Sequence, residues 1–133
     1  MIPPFDHNGC LPPGLHLATL DEIGARFGGE SELRRVQMES LRWMVESAIR
    51  AGAERIVLNG SFVTDRMEPN DVDCVVLVGL GYPADPTAEQ ELDDGLPFLD
   101  IALVGQVDFD RFVERIFAAD RRGVPKGMIE VIL

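Results

Sequence analysis

Apolar residues recur at two different spacings along the chain, and the changes in spacing predict the order of helices and strands. Between residues 30 and 50 the apolar positions follow the 3.6-residue period of a helix. Four shorter apolar runs predict strands at residues 55–59, 72–78, 98–104 and 128–132.

The boundaries of three further helices are marked by local signals. Thr19 and Glu22 fit a capping box, which starts a short helix that ends at Gly28. Asp108 fits an N-cap or first-turn acid of a helix that reaches Ala119. A short helix is expected at residues 62–64.

Residues 79–96 hold glycine and proline breaks and an acidic run, which predict a mobile loop with one turn of helix.

These elements predict a single domain of the α/β (α+β) class at residues 19–133. An extended N-terminal arm precedes it at residues 1–18, where four of the nine prolines and both histidines lie. After a helix-rich start the predicted order is β-α-β-β-α-β. This order predicts a small mixed sheet with helices packed on one face.

The net charge of −11 argues against direct nucleic-acid binding, which needs clustered lysine and arginine. A free nucleotide carried by a metal, or a basic protein partner, is easier to reconcile with this charge.

No apolar run approaches the roughly 18–20 residues of a membrane helix, so no membrane contact is expected. Because the N-terminus does not resemble a signal peptide, we expect a cytoplasmic protein. Cys10 and Cys74 fit neither a disulfide framework nor a zinc site.

The segment after the first predicted strand carries the clearest chemistry. That strand runs into Gly60 and Ser61, and nine residues separate Ser61 from Asp71, Val72 and Asp73. Alternate side chains of a strand share a face, so Asp71 and Asp73 are expected to point the same way. Two carboxylates beside a Gly-Ser turn predict a site for a divalent metal, Mg²⁺ or Mn²⁺, that carries phosphate.

Asp100 is the candidate for a third carboxylate. It lies inside an apolar strand, where an unpaired acid is unfavourable without a cation or hydrogen-bond donors. A solvent-facing position on a one-sided sheet is the other interpretation. Asp108 and Asp110 compete for the role, although both suit the first turn of a helix. The weaker candidates fit a solvated or structural role at least as well: Asp65, Arg66, Lys126, His7 and His16.

Gly60-Ser61, the nine-residue gap and Asp71-Val72-Asp73 together resemble the signature of the DNA polymerase beta-type nucleotidyltransferases. The signature is fairly specific because it combines two strands, a Gly-Ser turn, a bounded gap and a same-face acid pair. The resemblance extends to residues 2–16 and 120–127. Those segments are similar to a small prokaryotic nucleotidyltransferase-like family that is known mainly by its fold.

The resemblance implies the minimal nucleotidyltransferase fold and a metal-dependent transfer of a nucleotidyl group. The donor would be a nucleoside triphosphate and the acceptor a hydroxyl group. Asp71 and Asp73 would bind Mg²⁺ or Mn²⁺, Asp100 would be the third ligand and help as base, and Gly60 and Ser61 would hold the triphosphate.

The alternative is a binding module on the same fold, such as the antitoxin of a toxin–antitoxin pair. A chain of 133 residues leaves no room for a separate acceptor-binding domain. Recognition of the acceptor would then come from a protein partner or a homodimer.

Overall fold

A five-stranded mixed sheet lies at the centre of the protein, in a computed structural model that describes residues 2–116, 119 and 122–133. Across the sheet the strand order is β1-β5-β2-β3-β4. The strands are β1 (Gly14–Ala18), β2 (Arg55–Asn59), β3 (Val72–Leu77), β4 (Leu99–Val104) and β5 (Gly127–Val131).

The sheet joins two parallel pairs through an antiparallel centre. β1 pairs parallel with β5, and β3 pairs parallel with β4. β2 lies between β5 and β3 and is antiparallel to both. The mixed α+β class is therefore confirmed, and the three strands expected to share one sheet do so.

Each of the first three helices begins at a side-chain cap. Thr19 and Glu22 form the predicted capping box of α1 (Leu20–Phe27). Ser31 caps α2 (Glu32–Ala51), and Asp85 caps α3 (Pro86–Asp94). A 3₁₀ turn spans Ser61–Val63. None of the helices within the described ranges is both long and apolar enough to span a membrane.

Two apolar layers cover opposite faces of the sheet. On one face, α1, α2 and α3 pack over alternate strand residues such as Ile56, Leu58 and Cys74. On the other face, Phe109 packs against Val57 and Val75. Phe109 belongs to α4 (Gln106–Arg111), which continues as a π-helical turn at Phe112–Ile116. The prediction that the helices pack on one face only is therefore wrong, because α4 covers the second face.

Two segments expected to be irregular contain regular structure. The last residues of the predicted arm form β1, which lies at the edge of the sheet. The predicted mobile loop at residues 79–96 contains α3, a helix of nine residues. Arg50 of α2 holds α3 through Glu91, whose carboxylate also accepts a hydrogen bond from Ser47. These partners are distant in sequence and leave no local signal.

The last predicted helix starts earlier and ends earlier than expected. Gly105, not Asp108, is the N-cap residue of α4, and Asp108 lies in the first turn. Ala119 forms an isolated β-bridge with Pro125, so the helix ends before Ala119. Phe117, which is also expected on the apolar side of this helix, lies outside the described residues.

The guanidinium group of Arg34 joins α2 to the loop between β2 and β3. Arg34 is 2% exposed. Its Nη1 donates to the carbonyl oxygens of Phe27 (3.0 Å) and Phe62 (2.8 Å). Its Nη2 donates to the carbonyl oxygens of Thr64 (2.8 Å) and Arg66, and its Nε also donates to Arg66. One side chain thus satisfies carbonyl groups of a loop that has little secondary structure of its own.

Replacing Arg34 by methionine should lower the free energy of unfolding by at least about 3 kcal/mol, because four carbonyl groups lose their donor. Chemical denaturation measures this loss. Arg42→Met on the same helix is the control, because Arg42 is partly exposed and forms an ion pair with the exposed Asp21 (3.6 Å). That control should change stability by less than about 1 kcal/mol. Equal losses in both variants would contradict the role of Arg34.

Candidate functional site

A tight turn at Gly60 ends β2 and brings the chain back against β3. Gly60 has φ +86° and ψ −171°, a conformation open essentially only to glycine. A Cβ atom at this position would lie 2.6 Å from Oδ2 of Asp73. Gly60 therefore serves two purposes: it makes the turn, and it leaves space for the carboxylate of Asp73.

The hydroxyl group of Ser61 is oriented by the loop that follows it. Its Oγ accepts a hydrogen bond from the backbone N–H of Asn70 (2.7 Å). This bond uses an oxygen lone pair and leaves the hydroxyl proton available to a ligand. The carbonyl oxygen of Ser61 accepts from Oγ1 of Thr64 (2.6 Å). Hydrogen bonds to the side chain and to the carbonyl group of Ser61 thus fix the turn, and the hydroxyl of Ser61 can donate to a ligand.

Three polar residues form a row across the ends of three neighbouring strands. Asp73 of β3 pairs with Asn59 of β2 and with Asp100 of β4. Paired residues of adjacent strands lie on the same face. The face is that of Val57 and Val75, on which α4 packs. Asp100 thus shares a face with Asp73, as the alternation of the strands predicts.

The pKa of Asp73 reflects its burial and the like charges near it. Burial raises this pKa above its ordinary value, and the nearby carboxylate of Asp100 raises it further. The positive charge of Lys126 opposes the shift, and Asp71 adds to it. Asp71, Asp73 and Asp100 therefore lie close enough to interact, and Lys126 is a cation close enough to act on Asp73.

The other acids considered from the sequence lie elsewhere. Asp108 pairs with Arg111 (3.4 Å), and Asp110 accepts a hydrogen bond from Gln106 (2.8 Å). Asp110 acts electrostatically on Arg55, which begins β2, whereas the acid row lies at the other end of that strand. His16 donates from Nε2 to the carbonyl oxygen of Pro12 (2.7 Å), which is a structural role, and His7 is exposed.

A cleft of about 420 Å³ opens beside the turn. Gly60 and Ser61 form one side, and the N-terminal arm forms another. The arm is tied down by a hydrogen bond from the N–H of Asp65 to the carbonyl oxygen of Gly9 (3.0 Å). Arg66 and Lys126 supply positive charge. The cleft is lined by Asn8, Cys10, Gly60, Ser61, Thr64, Asp65, Arg66 and Lys126.

The start of β5 fixes the backbone at Lys126. The N–H of Gly127 donates to the carbonyl oxygen of Leu11 (3.0 Å). A Cβ atom at Gly127 would lie 2.1 Å from the carbonyl oxygen of Pro12, so only glycine allows this approach. The arm and β5 together hold Lys126 between the acid row and the cleft.

The donor set at the acid row suits a hard divalent cation. Carboxylate and amide oxygens are the ligands that Mg²⁺ and Mn²⁺ prefer. Within the part of the chain that the structure describes, no three His, Cys, Asp or Glu side chains are gathered closely enough to hold a metal by themselves. A cation here would therefore draw Asp73 and Asp100 together and use further oxygen donors.

Sequence reasoning overlooked Asn59, Asn8 and Cys10. Asn59 is the last residue of an apolar strand and lies two positions after Val57, so the two side chains share a face of the sheet. This spacing is a signal that could have identified Asn59. Asn8 and Cys10 line the cleft only because the arm folds over the turn. Their position depends on contacts between segments that are more than 50 residues apart in the sequence.

Comparison with known proteins gives a family but no activity. A family model described as "Family of unknown function (DUF6932)" matches residues 3–132. The chain belongs to this family. No curated protein and no solved structure matches the chain. For this member of the DUF6932 family, the argument for function therefore rests on the site.

Replacing Gly60 by alanine should lower stability by about 1–3 kcal/mol, since an unfavourable backbone conformation and a clash with Asp73 are combined. Thermal unfolding measures the change. Gly29→Ala is the matched control, because a Cβ atom there meets no atom within 4 Å and no left-handed backbone is required. If the two variants unfold at the same temperature, the close approach of Gly60 to Asp73 is contradicted.

Asp73→Asn should stabilise the metal-free protein near neutral pH. Because the folded pKa of Asp73 is raised, the folded state binds this proton more tightly than the unfolded chain does. The contribution of Asp73 to stability therefore falls as pH rises above the unfolded pKa of about 3.9. The gain from Asp73→Asn should disappear below about pH 4, where both side chains are neutral.

Thermal unfolding in chelator-treated buffer across this range tests the expectation. Asp93→Asn, an exposed change on α3, controls for the loss of one negative charge. A wild-type protein more stable than Asp73→Asn at neutral pH would contradict it.

Proposed function

We propose that this protein is a metal-dependent nucleotidyltransferase-like enzyme that transfers a nucleotidyl group from a nucleoside triphosphate to an acceptor hydroxyl and releases pyrophosphate. One observation carries the proposal. The acid pair Asp73 and Asp100 adjoins a Gly-Ser turn, and the turn opens onto a cleft that contains Arg66 and Lys126. Acids for a cation and donors for phosphate thus lie on either side of one turn.

Each group has a role that follows from its surroundings. Ser61 donates its hydroxyl proton to a phosphate oxygen, because its Oγ already accepts from Asn70. Arg66 and Lys126 neutralise the triphosphate that enters the cleft. Asp73 and Asp100, with Asp71 beside them, would hold Mg²⁺ or Mn²⁺, and Asp100 would take the proton of the acceptor hydroxyl. When bound, the cation neutralises charge on the phosphates and lowers the pKa of the acceptor.

The second candidate is a binding module on the same fold, such as an antitoxin. It is favoured by the absence of a gathered three-residue metal cluster among the described residues and by the net charge of −11. A basic protein is the partner that this charge suits. For both candidates we expect a cytoplasmic protein that does not bind nucleic acid directly, because of the net charge of −11.

Binding of Mn²⁺ and nucleotide separates the two candidates. In the enzyme, Mn²⁺ should raise the melting temperature, and a concentration a hundred times Kd corresponds to about 2.7 kcal/mol of stabilisation. A nucleoside triphosphate should bind more tightly with Mn²⁺ than without it, because the cation joins carboxylate to phosphate. Asp73→Asn should weaken both effects, since a ligand loses its charge.

Asp93→Asn is the control for this experiment. Asp93 is exposed on α3, which packs on the opposite face of the sheet, so its loss should leave both responses unchanged. If wild type and Asp73→Asn respond identically, the enzyme proposal fails. Incubation with each labelled nucleoside triphosphate and Mg²⁺, with and without a candidate protein partner, then identifies a nucleotidylated product.

A further inference from the structure

The amide oxygen of Asn59 is a buried acceptor with no donor. Asn59 is 4% exposed, and its Oδ1 makes no hydrogen bond with any residue that the structure describes. A buried polar atom without a hydrogen-bond partner destabilises the folded protein. Such an atom at the end of an apolar strand suggests that a ligand completes its contacts.

The surroundings of Asn59 indicate which ligand that is. Its partner across the sheet is Asp73, and the next residue along the row is Asp100. Directly opposed residues of an antiparallel pair have Cβ atoms about 4.5–5.5 Å apart. The side chain of Asn59 therefore lies beside carboxylates on the same face of the sheet, and carboxylates are themselves acceptors when ionised. A divalent cation is one group that can satisfy all of these oxygens at once and offset the repulsion between the acids.

We propose that Oδ1 of Asn59 is a neutral ligand of the divalent cation that Asp73 and Asp100 bind. Amide oxygens are regular ligands of hard divalent cations. A neutral ligand adds coordination without adding to the repulsion between the acids. It also supplies an oxygen donor where the acids do not form a three-residue cluster by themselves. This inference rests on the proposed function and adds a ligand from β2 to the site.

The test is the affinity for Mn²⁺ alone, measured by titration calorimetry in the absence of nucleotide. Asn59→Leu keeps the approximate shape of the side chain and removes the oxygen. Its Kd for Mn²⁺ should rise at least about tenfold, the lower end of the loss seen for metal-site partners. Its metal-free melting temperature should be no lower than that of wild type, because a buried unsatisfied acceptor has been removed.

Asn59→Asp separates a ligand from a residue that only positions Asp73. An aspartate retains an oxygen donor but loses the amide N–H groups. Mn²⁺ affinity should stay within about threefold of wild type or improve, as expected of a carboxylate ligand. Its metal-free melting temperature should fall, because a third acid joins the row. If Asn59→Asp weakens Mn²⁺ binding as much as Asn59→Leu does, the amide N–H is the important group and the proposal is overturned.

Tyr82→Phe is the matched control. The hydroxyl of Tyr82 is another buried oxygen without a partner among the described residues, and Tyr82 packs on the opposite face of the sheet. Removing it should leave the Kd for Mn²⁺ unchanged. Wild type that binds no Mn²⁺ would overturn the proposed function and this inference together. Binding that Asp73→Asn abolishes and Asn59→Leu leaves unchanged would overturn this inference alone.

Discussion

The buried guanidinium group of Arg34 is the interaction on which the candidate site depends. It donates to carbonyl oxygens at Phe62, Thr64 and Arg66, all in the loop between β2 and β3. One helical turn later, Gln37 donates to the carbonyl oxygens of Pro69 and Asn70. Helix α2 therefore fixes both halves of a loop that begins at the Gly-Ser turn and ends at the acids. The path of the loop between turn and acids is held by a helix that contributes no group to the chemistry.

The parts of the fold that local signals specify could be predicted from the sequence. The capping box at Thr19 and Glu22 and the helical period of α2 act within a few residues, so pattern alone identifies them. The same is true of the two-residue period that puts Asp73 and Asp100 on one face, once their strands are neighbours. The Gly-Ser turn could also be predicted from the sequence, because its backbone conformation requires glycine.

The parts that depend on distant contacts could not be predicted. β1 forms because its backbone pairs with β5, more than 100 residues later in the sequence. α3 is held by Arg50 and Ser47 of α2, and its acidic sequence resembles that of a loop. The orphaned oxygen of Asn59 is similarly invisible in sequence, since burial and a missing donor are properties of the packed sheet. The sequence predicts only the position of Asn59 in the strand.

The position of β5 has a consequence for the order in which the sheet is assembled. β5 lies between β1 and β2, so β1 has no strand to pair with until β5 is in place. β2, β3 and β4 pair among themselves and can form a three-stranded unit earlier. Pairings between such distant segments slow folding, because a long loop must close first. The cleft, which needs both the arm and Lys126, therefore depends on the pairing of two segments that are more than 100 residues apart.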